Sequence, residues 1–287
     1  SGITALTLDM SNAGAATFNS SVTATSLSVD GGTIKLDGNY PTSTNNVALG
    51  DEALDAVTSG EGITAIGSGA ATSLTEGIRN TAIGNFSLTL ETTGNYNTAV
   101  GNRALNDQNG ATYNVAVGFD AGGSITTGGQ NTAVGSESLD ALTVGGLNTA
   151  FGFRALTTDT KGSRATALGY RALNTQNFTT ATDNYNVAVG FQSGFSITTG
   201  VSNTIIGGLA GDALTDADEN TAVGVGALTN DTLGSKSTAL GRSALATQNF
   251  TSATDSHNTA VGFRAGLLVT TGTNNTLIGS LAGDALV

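Results

Sequence analysis

The pentapeptide Asn97-Thr98-Ala99-Val100-Gly101 returns, with small changes, along most of the 287-residue chain. Eleven of the thirteen intervals between its closing glycines equal the step from Gly101 to Gly118, and the other two are longer by four positions. A short fixed period is the signature of stacked coils, so the sequence predicts an all-β fold, a parallel β-solenoid of about 14 coils with a period of about 17 residues, over positions 46–287. The closing glycines are Gly50, Gly67, Gly84, Gly101, Gly118, Gly135, Gly152, Gly169, Gly190, Gly207, Gly224, Gly241, Gly262 and Gly279.

Each position of the pentapeptide has its own chemistry. Residues two apart in a strand share a face, so Thr98 and Val100 are predicted to point one way and Ala99 the other. The closing glycine indicates a corner that needs a positive φ or a close approach of two backbones. Three residues after it every coil has Ala or Ser. This obligatory small residue predicts crowding by a neighbouring segment.

The asparagine that opens most pentapeptides has two interpretations, a stacked side-chain ladder and a turn cap. Ile63, Ala165 and Ser237 occupy its place in three coils and would interrupt a ladder. The turn cap is therefore favoured.

Residues 1–45 lack the repeat. They alternate apolar and polar residues, as in Ile3-Thr4-Ala5-Leu6-Thr7-Leu8, and are predicted to form a β-rich N-terminal connector. The single proline, Pro41, suits a junction between this segment and the solenoid. Because the chain begins at Ser1 and stops at Val287 partway through a coil, we expect it to be an excerpt of a longer polypeptide.

Charge and composition disfavour several kinds of partner. The net charge is −12, from 22 acidic and 10 basic residues, which argues against nucleic acid and against anionic membrane surfaces. No apolar run is long enough to span a bilayer, so no membrane insertion is expected. There are no cysteines to form disulfides. The chain itself is the expected partner, because a coil of this length is at most roughly 60 Å around and too thin to hide its own apolar stripe.

A longer period of four coils lies above the short one. The segment Thr175–Asp183 returns four coils later as Thr247–Asp255, and each copy carries a four-residue insertion. Insertions in solenoids form loops on one face, often the binding face. Exposed aromatic rings among Thr and Asn suit stacking on sugars, so the candidate contact residues for a host glycan or protein are Phe178, Thr180, Tyr185, Phe250, Thr251 and His257.

No catalytic, cofactor-binding or metal-binding residues are predicted, and the chain is not expected to be an enzyme. His257 is the only histidine, and Tyr185 takes its place in the first insertion, which indicates a tolerant loop position. The segment Asp216–Asn220 resembles the start of a calcium loop but fails as one, because Thr221 replaces the required glycine. The other acidic residues are mostly single and change position from coil to coil.

Two further columns follow the corner glycines. Arginines two residues later are expected to form a solvated ridge that pairs with acids on adjacent coils or chains. Aromatic residues directly after the glycine are expected to pack between coils or subunits. The arginines are Arg103, Arg154, Arg171 and Arg264, and the aromatics are Phe119, Phe153, Tyr170, Phe191 and Phe263.

Coils such as Asn97–Leu105 resemble the head repeats of trimeric autotransporter adhesins, and residues 8–19 resemble phage tail-fibre proteins. The first resemblance implies a left-handed parallel β-roll assembled as a homotrimer. The second implies a tail fibre located on the virion, joined to other fibre or virion proteins at its ends. Adhesin head coils are usually somewhat shorter than the coils of this chain, and the chaperone domain that often follows such repeats in tail fibres is not present here.

These observations predict a structural segment, the shaft or adhesive part of a viral tail fibre that presents host-recognition surfaces. The alternative is a bacterial cell-surface adhesin or extracellular filament. An ice-binding solenoid is motivated by the threonine column through Thr81 and Thr98, but Val47, Val115 and Val187 interrupt that column and disfavour it.

Overall fold

The computed structural model describes residues 44–286, and within that range the chain forms strands and turns and no helix. Residues 1–43 and Val287 lie outside the described part, so the β-rich connector over residues 1–45 and the junction at Pro41 stay predictions. The described part is a parallel β-solenoid with the predicted period. Its main sheet has 14 strands, one for each coil.

The strands are short and stack directly on one another. Each pairs in parallel with its neighbours in the coils before and after, so that Thr81, Ala82 and Ile83 lie beside Thr98, Ala99 and Val100. The strands of the main sheet are β1 (Val47–Leu49), β2 (Thr64–Ile66), β3 (Thr81–Ile83), β4 (Thr98–Val100), β5 (Val115–Val117), β6 (Thr132–Val134), β7 (Thr149–Phe151), β9 (Thr166–Leu168), β11 (Val187–Val189), β12 (Thr204–Ile206), β13 (Thr221–Val223), β15 (Thr238–Leu240), β17 (Thr259–Val261) and β18 (Thr276–Ile278). The others are β8 (Gly162–Ser163), β10 (Thr182–Asp183), β14 (Gly234–Ser235) and β16 (Thr254–Asp255).

The two faces of the main sheet separate as the alternation predicts. Ala99 is fully buried, whereas Thr98 and Val100 remain partly accessible on the outer face. The small residue three positions after the corner glycine is buried too, as at Ala104. Alanines from these two positions, together with Leu and Ile from the turns, form one continuous core inside the coils.

The corner glycines are required for both predicted reasons. All fourteen have φ between +124° and +142°, a region that side-chain-bearing residues rarely adopt. At Gly101 an added Cβ would lie 2.2 Å from the carbonyl oxygen of Gly118 in the next coil. The backbones of successive corners therefore touch, and no larger residue fits between them.

Positive φ angles also occur at non-glycine residues, for which the sequence did not predict them. On either side of Gly101, Tyr96, Arg103 and Leu105 have φ of 58°, 59° and 50°. Left-handed conformations at non-glycine residues are unfavourable, and they persist where the surroundings impose them. Here the amide of Leu105 donates to the carbonyl of Ala121 in the next coil at 3.1 Å, so the strained turn is held by coil-to-coil hydrogen bonds.

The asparagine column forms a ladder between coils, which corrects the turn-cap interpretation. Asn97 accepts a hydrogen bond on Oδ1 from the Asn114 amide, at 2.9 Å, and its Nδ2 donates to the Ala111 carbonyl at 2.9 Å. Both partners belong to the next coil. Where Ala165 interrupts the column, Asn184 from the first insertion accepts from the Asn186 amide at 3.0 Å. The ladder thus continues across a gap that the sequence alone presents as a break.

The insertions are partly built into the solenoid. At the end of the first insertion β10 pairs in parallel with β8 of the coil before it, and in the second insertion β16 pairs with β14. The tips, residues 179–181 and 251–253, are exposed. Each insertion is therefore a short tip held on a two-stranded base.

Candidate functional site

The two insertions place the six predicted contact residues in two different environments. Phe178 and Phe250 are only 5% and 6% exposed, so the expectation of exposed rings was wrong. The Phe178 ring packs against Gly162, where an added Cβ would lie 2.9 Å from the ring. Rings buried in this way have no free face for a sugar. Both rings pack the start of an insertion against a glycine of the coil before it, Phe178 on Gly162 and Phe250 on Gly234.

The other four predicted residues lie at the surface. Thr180 and Thr251 are at the exposed tips, and Tyr185 and His257 occupy equivalent exposed positions at the ends of the insertions. Tyr185 and His257 both have positive φ, 53° and 49°, and Tyr185 is 55% exposed. Each insertion therefore has a hydroxyl-rich tip and one exposed ring at its end.

An ion pair borders each tip. The Arg164 Nε lies 3.0 Å from Asp183 Oδ2, and in the second insertion the Lys236 Nζ lies 2.6 Å from Asp255 Oδ2. The hydrogen bond from Lys236 lowers the pKa of Asp255, and the same bond raises the pKa of Lys236. The Arg164 guanidinium also lies 5.8 Å from the centre of the Tyr185 ring. These solvated groups are worth little for stability, and they offer paired donors and acceptors to a polar ligand.

The sequence interpretation missed three buried acid–glutamine pairs, two of which lie beneath the insertions. Gln176 donates from Nε2 to Asp159 Oδ2 at 2.6 Å, and Gln248 donates to Asp231 Oδ2 at 2.5 Å. All four side chains are fully buried. The predicted pattern of mostly single acids that change position from coil to coil does not hold for these residues. These acids instead share one position, seven residues after a corner glycine, with the glutamine at the same position in the next coil.

The third pair, Glu91 and Gln108, lies in a coil without an insertion and has the same geometry. Gln108 Nε2 donates to Glu91 Oε2 at 2.8 Å. The Gly110 amide donates to Glu91 Oε1 at 2.8 Å, as the Phe178 amide donates to Asp159 Oδ1 at 3.1 Å. The pairs therefore do not depend on the insertions.

The outer face of the main sheet carries an aliphatic column along all 14 coils. Within it Phe151 is the largest side chain and is 57% exposed. The column consists of Leu49, Ile66, Ile83, Val100, Val117, Val134, Phe151, Leu168, Val189, Ile206, Val223, Leu240, Val261 and Ile278. The threonine column lies on the same face, and Val115 and Val187 interrupt it.

Three of the five aromatic residues that follow a corner glycine stack between coils, as predicted. The rings of Phe153, Tyr170 and Phe191 stack with centroids 5.6 and 5.3 Å apart. A stack of this kind covers the ring faces and leaves the edges to solvent. It therefore stiffens the surface of three successive coils and offers few ring faces for a ligand.

The arginine ridge pairs with acids on adjacent coils at two of its four positions. Arg103 Nε lies 2.8 Å from Asp120 Oδ1, and Arg154 Nε lies 2.6 Å from Glu137 Oε2. Next to them, partial burial raises the pKa of Asp140, and the charges of Asp120 and Glu137 raise it further. Two positions of the ridge are therefore local charge pairs between neighbouring coils.

Within residues 44–286, no group of three or more His, Cys, Asp or Glu side chains is arranged to hold a metal ion. In that same range no helix is long and apolar enough to cross a membrane. No protein-family model matches the chain, and no curated protein is similar to it in sequence.

Proposed function

We propose that this chain is a structural fibre segment, the shaft or adhesive part of a viral tail fibre, and not an enzyme. The observation that carries the proposal is the uninterrupted ladder of 14 parallel strands with an aliphatic column along its outer face. At about 4.8 Å per strand the ladder is about 65 Å long. Such a rod acts mechanically, as a stiff spacer that holds contact surfaces away from its point of attachment.

The aliphatic column supports self-association, and a homotrimer with a left-handed β-roll is the form that the resemblance to adhesin heads implies. A stripe this long and regular fits a partner with the same coil spacing, which a second copy of the chain has. The outer face is about 65 Å by about 10 Å, so two copies would bury about 1,300 Å² in total. Specific interfaces bury roughly 1,200–2,000 Å².

Light scattering coupled to gel filtration tests the assembly. The expected mass is three times the 28.3 kDa of one chain. Val117→Glu places a charge in the aliphatic column and should release smaller species. Thr179→Glu, at an exposed loop tip, adds the same charge elsewhere and should leave the mass unchanged. A monomeric unmodified chain would contradict the assembly.

The location on a virion rests on the resemblance and on the rod-like architecture. Electron microscopy of native particles labelled with an antibody to this chain tests it directly. Label on fibres of phage particles supports the proposal, and label on bacterial surfaces supports the alternative, a cell-surface adhesin or extracellular filament. In either setting the exposed insertion tips are the proposed contact surfaces for a host glycan or protein.

A further inference from the structure

The position seven residues after each corner glycine, here named the central core position, differs from the other interior columns. The strand column is alanine in most coils, and the column four residues after the corner glycine consists of small or apolar residues, Leu, Ala or Gly. At the central core position the order acid, glutamine, Ile or Val, Leu repeats every four coils. Its residues are Val57, Leu74, Glu91, Gln108, Ile125, Leu142, Asp159, Gln176, Ile197, Leu214, Asp231, Gln248, Val269 and Leu286.

We propose that the three acid–glutamine pairs specify which coil stacks on which, and that the rod is therefore built in units of four coils. The first unit is residues 85–152 and the second is residues 153–224. This inference concerns stacking within one chain, so it does not depend on self-association or on the location of the fibre.

Nearly identical coils create a problem of register. The strand residues, the asparagine ladder and the corner glycines would fit almost equally well if one coil were looped out and its neighbours stacked directly. Such a shift in stacking is unfavourable at a buried carboxylate, which would lose its hydrogen-bond donor. The Asp159 carboxylate would then face Ile197 in place of Gln176, and Oδ2 would lose its only amide donor in the core.

Each glutamine also binds an asparagine of the ladder, so an incorrect stacking of coils would disrupt more than the acid–glutamine hydrogen bond. Gln176 Oε1 accepts from Asn186 Nδ2 at 2.8 Å, and Gln108 Oε1 accepts from Asn114 Nδ2 at 2.7 Å. The network thus runs from the acid of one coil through the glutamine of the next to that coil's own asparagine. A fully satisfied buried network favours one arrangement, whereas a half-satisfied one is costly.

Two deletions of one coil each test the proposal, because both rejoin a corner glycine to the residue that normally follows one. Deletion of residues 102–118 removes Gln108 and places Glu91 against Ile125. Deletion of residues 119–135 removes Ile125, leaves the Glu91–Gln108 pair intact and places Gln108 against Leu142. We expect the first deletion to melt at least about 5 °C below the second.

A rescue separates the buried acid from any general effect of shortening. Glu91→Leu added to the 102–118 deletion should bring its melting temperature to within about 2 °C of the 119–135 deletion. Equal melting temperatures for the two deletions, or no gain from Glu91→Leu, would overturn the proposal. A third deletion, residues 153–224, removes one whole unit and should fold with its remaining pairs intact.

Point variants in the full chain provide the test if neither short deletion folds. Gln108→Ile alone should lower the melting temperature by at least about 5 °C, because Glu91 Oε2 is left without its amide donor. The double variant Glu91→Leu/Gln108→Ile should recover at least half of that loss. Additive losses in the double variant would show that the pair carries no stacking preference.

Discussion

Gln176 Nε2 lies 2.6 Å from Asp159 Oδ2 across the boundary between two coils, and both side chains are fully buried. The other carboxylate oxygen accepts from the amides of Gly162 and Phe178 at 2.9 and 3.1 Å. One side chain therefore joins its own turn to the next coil. This relationship places a polar, directional contact beside an apolar core that is mostly alanine, leucine and isoleucine.

We predict that Asp159→Ala destabilises the solenoid by about 3 kcal/mol, because it leaves a buried glutamine amide and two backbone amides short of an acceptor. Chemical denaturation followed by circular dichroism measures this. Asp183→Ala is the matched control, since that carboxylate is exposed in an ion pair and should cost less than about 1 kcal/mol. Equal losses would mean that burial of the carboxylate has no special role.

The asparagine ladder gives a second prediction. Asn131→Ala removes the acceptor for the Asn148 amide, at 3.0 Å, and the donor to the Gly145 carbonyl, also at 3.0 Å. We expect a loss of about 2 kcal/mol and faster hydrogen exchange at the Asn148 amide. Asn102→Ala, a change at the surface, should alter neither quantity by much. Unchanged exchange at Asn148 would contradict the ladder.

A corner glycine and a glycine with free space around it, in a different coil, form a matched pair. Gly101→Ala should cost at least about 3 kcal/mol, because φ is +136° and the new Cβ would meet the Gly118 carbonyl oxygen. Gly208→Ala should stay within about 0.5 kcal/mol, since an added Cβ there has no heavy atom within 4 Å and its φ is not in the left-handed region. Thermal melts of the two variants test the distinction.

Much of the architecture follows from the sequence, for a physical reason. In a solenoid every coil has the same pattern of buried and exposed positions. The inner and outer faces follow from the alternation at Thr98, Ala99 and Val100 and from the glycine after them, and each further repeat supports the same assignment. The period, the number of coils and the crowded corners were therefore predictable and are confirmed within residues 44–286.

The candidate site was less predictable, because burial at the insertions depends on contacts between coils. Phe178 stands among Thr and Asn and looks exposed, yet it packs on Gly162 in the preceding coil. Asn184 takes the place in the ladder where Ala165 lacks a side-chain acceptor. This contact could not be predicted from the local sequence pattern. The Asp159–Gln176 pair could have been predicted from the sequence, by aligning the coils on their corner glycines and comparing the residues seven positions after each glycine.

Asp140 gives a prediction about pH. Its pKa is raised above the usual value by burial and by the Asp120 and Glu137 charges, so the folded state binds a proton more readily than the unfolded chain. Its charged form therefore costs stability, and that cost grows as pH rises from the ordinary carboxyl range through the raised pKa. We expect Asp140→Asn to raise the melting temperature at pH 7 by about 1–3 °C.

The same variant should lose its advantage at pH 3, where Asp140 is protonated in both states. Asp255→Asn is the control of opposite sign, because its hydrogen bond from Lys236 lowers the pKa of Asp255. The Lys236–Asp255 pair stabilises the fold at pH values above the ordinary carboxyl pKa, and this stabilisation is lost as pH falls through the lowered pKa. Melting curves for both variants between pH 3 and pH 7 should therefore diverge in opposite directions, and a parallel shift would contradict the assignment.

The insertion tips give the prediction closest to function. The coil that contains Gln108 has no insertion, and it provides a natural template for removing one. Replacing residues 178–184 by Gly-Ala-Thr copies that template, and Ala165→Asn restores the ladder contact that Asn184 supplies. The same replacement at residues 250–256, with Ser237→Asn, removes the second tip. We expect both changes to leave the solenoid folded, because the acid–glutamine pair in the template coil needs no insertion.

If the tips contact the host, the chain without them should keep its melting temperature to within about 5 °C and lose binding to host cells in a pull-down with labelled protein. Two double variants then show whether hydroxyls or rings bind the host, since all four side chains are exposed. Thr180→Ala/Thr251→Ala removes hydroxyls, and Tyr185→Ala/His257→Ala removes rings. Phe178→Leu is the control, because this ring is buried: the change should reduce stability and leave binding to host cells unchanged. Undiminished binding by the chain without tips would move the contact surface elsewhere on the solenoid.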